Sequence, residues 1–73
     1  MNKKVFIKKW NSCNCDIKMV VYMNGDICIT DDYEILENEY VELKYSGYSK
    51  IRIPFTMIDE VIEYVELKKG DIE

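Results

Sequence analysis

Alternation of apolar and polar residues dominates the first two thirds of the chain and gives way to a helix-like spacing near the end. Residues 4–10 (KVFIKKW) place Val5 and Ile7 on one side and Phe6, Lys8 and Trp10 on the other, which predicts a first strand. Residues 11–14 (NSCN) are turn formers, because Asn and Ser side chains bond their own backbone. From Cys15 the period of two is clear: Cys15, Ile17, Met19, Val21 and Met23 alternate with Asp16, Lys18, Val20 and Tyr22. Asn24-Gly25 tolerates positive φ and predicts a hairpin into residues 26–31, with Ile27 and Ile29 on one face and Cys28 and Thr30 on the other. Residues 32–39 (DYEILENE) fix no period and fit a strand, a helical turn or an acidic loop. A second hairpin, 40–46 with 48–54, turns at Ser46-Gly47; Val41, Leu43 and Tyr45 share one face, as do Ile51, Ile53 and Phe55.

After Pro54 the pattern changes. Thr56 suits a helix N-cap, Asp59 and Glu60 suit a first turn, and Ile58, Val61, Ile62 and Val65 follow i, i+3, i+4, i+7. Lys68, Lys69 and Gly70 suit its C-terminal end. The predicted architecture is α+β: a four- or five-stranded antiparallel β meander with one C-terminal amphipathic helix packed on one face. Its expected core is Val5, Ile7, Ile17, Met19, Val21, Ile27, Ile29, Val41, Leu43, Ile51, Ile53, Ile58, Val61, Ile62 and Val65.

Length and composition fit that reading. A chain of 73 residues, 48% hydrophobic and 33% charged, has room for one small domain over residues 1–73. No apolar run approaches the ~18 residues that span a bilayer, and the basic start MNKKVFIKKW lacks the apolar stretch of a secretory leader, so a cytoplasmic location is expected. An odd set of three cysteines fits a reducing compartment. His, Ala and Gln are absent and lysine outnumbers arginine nine to one, a bias expected of an AT-rich genome such as a low-GC bacterium or its phages.

Charge is distributed in blocks, and this changes the functional reading. Residues 1–30 carry +3, residues 31–42 carry −6, residues 43–55 carry +3 and residues 56–73 carry −4. Asp31, Asp32, Glu34, Glu37, Glu39 and Glu42 thus offer a carboxylate segment to a basic groove on another protein, in place of phosphates. Small acidic inhibitors of nucleic-acid enzymes, anti-CRISPR proteins among them, are similar in charge and size. The expected function is a non-enzymatic protein-binding module, a small regulator or inhibitor, with a homodimer as a further arrangement. The alternative is single-strand nucleic-acid binding by an outer sheet face carrying Phe6, Trp10, Lys18, Tyr22, Tyr40, Tyr48, Lys50 and Arg52, where ammonium groups would track phosphates and rings would stack on bases. A net charge of −4 opposes that alternative.

Catalysis and metal binding find little support. No histidine stands beside a nucleophile, the carboxylates lie in polar runs, and the three glycines are isolated at turns. Cys13, Cys15 and Cys28 lack an imidazole partner, and on alternation Cys15 faces inward while Cys28 faces outward, so no catalytic, metal or cofactor site is expected. Two outcomes follow from the sequence. Elemental analysis should find no stoichiometric zinc, a result that near one zinc per chain would reverse. Ile62→Ala, placed mid-stripe on the predicted helix, should cost about 2–5 kcal/mol in urea melts.

Overall fold

The computed structural model describes residues 1–64, and its first element is a helix where alternation predicts a strand. Helix α1 (Lys3–Ser12) begins because the Asn2 side chain accepts a hydrogen bond from the Val5 N–H at 2.9 Å, a standard N-cap. Phe6 and Trp10 lie four residues apart, so they project from one side of the helix, and both are buried. The four lysines around them point elsewhere. Over seven residues the two periods compete, and burying two large rings side by side favours the helix.

Six strands follow: β1 (Lys18–Tyr22), β2 (Asp26–Thr30), β3 (Asp32–Leu36), β4 (Tyr40–Tyr45), β5 (Tyr48–Pro54) and β6 (Ile58–Glu63), with a 3₁₀ turn at Phe55–Met57 before the last. They form two three-stranded antiparallel sheets, ordered β2-β1-β6 and β3-β4-β5. Both predicted hairpins are present, and the undecided 32–39 segment supplies β3 and its turn. The hairpin turns place adjacent residues at positive φ: Met23, Asn24 and Gly25 in the first, Glu37 and Asn38 in the second, Ser46 and Gly47 in the third. Such turns match the right-handed twist of the flanking strands.

Two predicted features are overturned. The expected C-terminal helix on a four- or five-stranded meander is instead an N-terminal helix with two sheets. Residues 58–63 form strand β6, paired to β1 through Met19↔Ile62 and Val20↔Val61. The β-branched Ile58, Val61 and Ile62 fit a pleated strand at least as well as a helix, and β1 has an edge for them to fill. The later part of the predicted helix, with Val65, Lys68, Lys69 and Gly70, lies outside the described residues. The composition remains α+β with antiparallel sheets.

The inward face of the first hairpin is also reversed. Lys18, Val20, Cys28 and Thr30 point inward, and Met19, Val21, Ile27 and Ile29 outward. Both faces of β1 are apolar enough to be core, so alternation alone does not choose between them. The packing partner chooses. Phe6 meets Trp10, Tyr33 and Phe55 at ring-centroid distances of 5.8, 5.1 and 5.5 Å, filling the space between the sheets. Around this wedge the buried apolar set is Phe6, Trp10, Val20, Cys28, Val41, Leu43, Ile53, Phe55, Ile58 and Val61. Of the expected core, Val41, Leu43, Ile53, Ile58 and Val61 are buried; Val5, Ile27 and Ile62 are exposed, and Ile7, Ile17, Met19, Val21, Ile29 and Ile51 are half-buried.

Strands β2 and β3 are separated by Asp31 alone, which carries the chain from one sheet into the other. The Asp31 N–H donates to the Lys44 carbonyl at 2.9 Å, and its carboxylate accepts from the Ser46 N–H at 3.1 Å. The fully buried Thr30 hydroxyl lies within hydrogen-bonding reach of the Asp32 and Lys44 carbonyls.

These placements give three expected stabilities in urea melts. Phe6→Ala should cost about 3–5 kcal/mol by leaving a cavity between the sheets. Thr30→Val should cost about 1–3 kcal/mol by removing the buried hydroxyl that joins the Asp32 and Lys44 carbonyls at the strand junction. Ile62→Ala, in a strand and exposed, should cost under about 1 kcal/mol, in place of the larger loss the helix reading implies. A large loss at Ile62 together with a small one at Phe6 would contradict this packing.

Candidate functional site

The residues proposed for single-strand binding do not share a surface. Phe6 and Trp10 are core residues of α1. Lys18 is only 7% exposed: its ammonium donates to the Cys15 carbonyl at 2.6 Å and sits 4.7 Å from the centre of the Trp10 ring. Those contacts offset part of the cost of burying a charge. Tyr22 is half-buried at the end of β1, where burial raises the phenol's pKa, followed by Asp26 and Cys28. Tyr48, 76% exposed, lies on β5 with exposed Lys50 and Arg52, and Tyr40 lies on the neighbouring strand.

The acidic segment is similarly divided. Asp31 serves the strand junction, and Asp32 accepts from the Tyr33 N–H at 2.8 Å. Glu34 pairs with Lys44 at 3.0 Å, which raises the lysine's pKa through that hydrogen bond, and Glu42 pairs with Arg52 at 3.2 Å. Cross-strand register sets Glu34 beside Glu42 and Glu42 beside Arg52, so the outer face of β3-β4-β5 is a patchwork of both signs. Glu37 and Glu39 remain at the exposed hairpin tip. Two of the six carboxylates of the −6 block are thus paired with cations of neighbouring strands and two more accept backbone N–H groups, so the block does not form one carboxylate surface.

A different surface emerges from the reversed hairpin. The outer face of β2-β1-β6 sets Ile29, Met19 and Ile62 in one row across three strands, with Ile27 and Val21 in the next row beside Glu60. Ile27 is 56% exposed and Ile62 38% exposed; Met19, Val21 and Ile29 are half-buried among their neighbours. No described element packs over this face. Alternation reveals part of it: Met19, Val21, Ile27 and Ile29 read as one apolar face but on the wrong side, and Ile62 reads as part of a helix covering that face and not as a strand residue within it.

Beside that face runs a groove of about 600 Å³ between α1 and β6, lined by Val5, Lys8, Ser12 and Cys13 on the helix side and by Val61 and Ile62 on the strand. Lys9 and Glu60 bridge it at 2.9 Å. That hydrogen bond, with a second from the Val61 N–H, holds the Glu60 carboxyl below its usual pKa.

The cysteines are placed otherwise than alternation predicts. Cys28 is buried, and Cys15 is half-buried in the loop after α1, donating to the Ile17 carbonyl at 2.9 Å. The Cys13 thiol donates to the Lys9 carbonyl at 3.4 Å; burial, then nearby Cys15 and Glu63, raise its pKa. Burial likewise pushes Cys28 up. Among the described residues, no group of three or more Cys, Asp or Glu side chains is arranged to hold a metal ion, and no helix is long and apolar enough to cross a membrane.

Comparison with models of known protein families, with curated proteins and with solved structures gives no match to this chain. The site is therefore defined by its geometry alone.

The thiols should differ in reactivity. With iodoacetamide at neutral pH, Cys28 should be alkylated only on unfolding, because it is buried and its raised pKa keeps thiolate scarce. Cys15 should react in the folded protein. Mass spectrometry of the digested, labelled protein measures the order, and early labelling of Cys28 would contradict the inward face of β2.

Proposed function

We propose that this protein is a non-enzymatic protein-binding module, a small regulator or inhibitor, that docks a partner on the outer face of β2-β1-β6. One observation carries the reading: five apolar side chains from three adjacent strands lie side by side on a face that no described element covers. Contiguous apolar faces supply interaction sites where scattered apolar residues do not; this one is small, within the patch size that soluble monomers carry, so what favours it is its continuity across three strands and not its area.

Size narrows the contact. Three strands at ~4.8 Å spacing and five residues at ~3.3 Å rise give about 14 by 17 Å. That is well below the ~800 Å² per partner of a standard globular interface. The face suits one secondary-structure element of a partner, bound through its apolar side. The carboxylates of residues 31–42 contribute little to this contact, since Asp31 serves the fold and Glu34 and Glu42 are ion-paired.

The test is a pull-down from nuclease-treated lysate with the native protein, with Ile27→Lys/Ile29→Lys, and with Glu37→Lys/Glu39→Lys. The same protein should be retained by the native chain and the glutamate variant and lost at least tenfold from the isoleucine variant. Thermal melts establish that each variant is folded. Loss with the glutamate variant alone would move the contact to the hairpin tip, and retention by all three would remove the apolar face from consideration.

A further inference from the structure

We propose that Cys13 and Cys15, in the connection between α1 and β1, are a reversible modification site. A low-molecular-weight disulfide oxidises the pair to an internal disulfide, with Cys15 attacking first and Cys13 resolving. The reaction does not rest on the apolar face, so either can fail without the other.

Chain geometry brings the two thiols within reach. Residues 13–17 are the whole link between α1 and β1, and both cysteines in it are free and half-buried. Alpha carbons two residues apart are separated by no more than about 7 Å. A disulfide bridges alpha carbons ~4.4–6.8 Å apart, so a small backbone adjustment at Asn14 is enough to close the bond. The sulfurs also share one neighbourhood. Burial is the first cause that raises the Cys13 pKa, and the charge of Cys15 is the second.

The link is pinned on both sides of Cys15 by groups other than sulfur. The Asn14 N–H donates to the Glu63 carboxylate at 2.9 Å, the Lys18 ammonium to the Cys15 carbonyl at 2.6 Å, and the Tyr64 N–H to the Ile17 carbonyl at 3.2 Å. The thiols themselves donate to the Lys9 and Ile17 carbonyls, and S–H is a weak donor. When Cys15 leaves, the Ile17 carbonyl keeps Tyr64. The sulfurs therefore exchange partners while the anchors stay in place. Cys28 is set apart: it is buried on the inner side of β2, and no cysteine is among the causes that shift its pKa.

The chemistry balances. The Cys15 thiol loses its proton to solvent, and the thiolate attacks one sulfur of the reagent. The S–S bond of the reagent breaks, a mixed disulfide forms on Cys15, and one thiolate leaves and takes up a proton. Cys13 then loses its proton and attacks the Cys15 sulfur, releasing the second reagent thiolate. Two protein thiols are oxidised and one reagent disulfide is reduced to two thiols. Burial, Cys15 and Glu63 together keep Cys13 protonated, which leaves the first attack to Cys15. Once Cys15 is in the mixed disulfide it bears no charge, and one cause that holds the Cys13 proton is gone.

The probe is hydroxyethyl disulfide, small and uncharged, so Glu63 does not repel it. The full chain is incubated with it at mildly alkaline pH. Free thiols are then blocked with N-ethylmaleimide in denaturant, and oxidised ones are reduced and blocked with iodoacetamide. Mass spectrometry should find the second label on both cysteines of tryptic peptide 10–18 and the first label on Cys28. Before reduction the intact protein should be a monomer lacking two hydrogens. Cys13→Ser should accumulate the mixed disulfide on Cys15, and Cys15→Ser should react at Cys13 roughly tenfold more slowly than the native pair. Thermal melts establish that each variant is folded. The inference is overturned if the native chain stays reduced, stops at the mixed disulfide, forms a disulfide-linked dimer or draws in Cys28. Folded Cys15→Ser reacting at the native rate would overturn it equally. Should a serine variant fail to fold, the labels on the native chain decide alone.

Discussion

The passage of one continuous strand from sheet to sheet at Asp31 is the constraint on which the rest of this fold depends. With a single residue between β2 and β3, the backbone changes sheet without a loop, and the change must be held by local hydrogen bonds. Asp31 and Thr30 provide them, both to the Lys44 carbonyl, with the Asp31 carboxylate reaching on to Ser46. Two sheets joined at one corner leave a gap between their inner faces. The Phe6 and Trp10 rings of α1 fill it from the side, meeting Tyr33 and Phe55. The helix is thus committed to the gap and does not lie across the outer face of β2-β1-β6.

That commitment explains which parts of the fold are legible in the sequence. Hairpins are local, so Asn24-Gly25 and Ser46-Gly47 mark them correctly. The faces of Val41, Leu43 and Ile53 are likewise correct, because the other side of β4 and β5 is charged and the choice is unambiguous. Around β1 both sides are apolar, and the decision rests with Phe6 and Trp10, which lie more than seven residues away and were themselves assigned to a strand. The Ile58, Val61, Ile62 spacing fits a helix stripe, yet a strand also buries Ile58 and Val61 when a bulge separates them, as the register shift opposite Val21 and Tyr22 provides. A local period cannot anticipate a bulge or a partner edge.

The candidate site was legible only in outline. Met19, Val21, Ile27 and Ile29 read as one apolar face turned inward, while Ile62 reads as a helix residue packed on it, so the sequence shows the members of the surface but not their common strand setting. The charge blocks, by contrast, suggested a binding surface that cross-strand pairing dismantles: Lys44 and Arg52 are distant in sequence from the carboxylates they meet. Block charge along a chain predicts surface charge only where neighbouring strands carry the same sign.

The burial of Lys18 against Trp10 has an optical consequence. The chain has one tryptophan, and its indole lies where α1 and both sheets converge, against Tyr33 at 4.7 Å on one side and the Lys18 ammonium at 4.7 Å on another. Its emission therefore reports a single event, the seating of the helix between the sheets. Ligands on the outer face would leave that ring's surroundings nearly untouched, whereas withdrawal of α1 would expose it to water and shift its spectrum to the red. The molecule carries an internal gauge of its own architecture that is largely blind to what binds its surface.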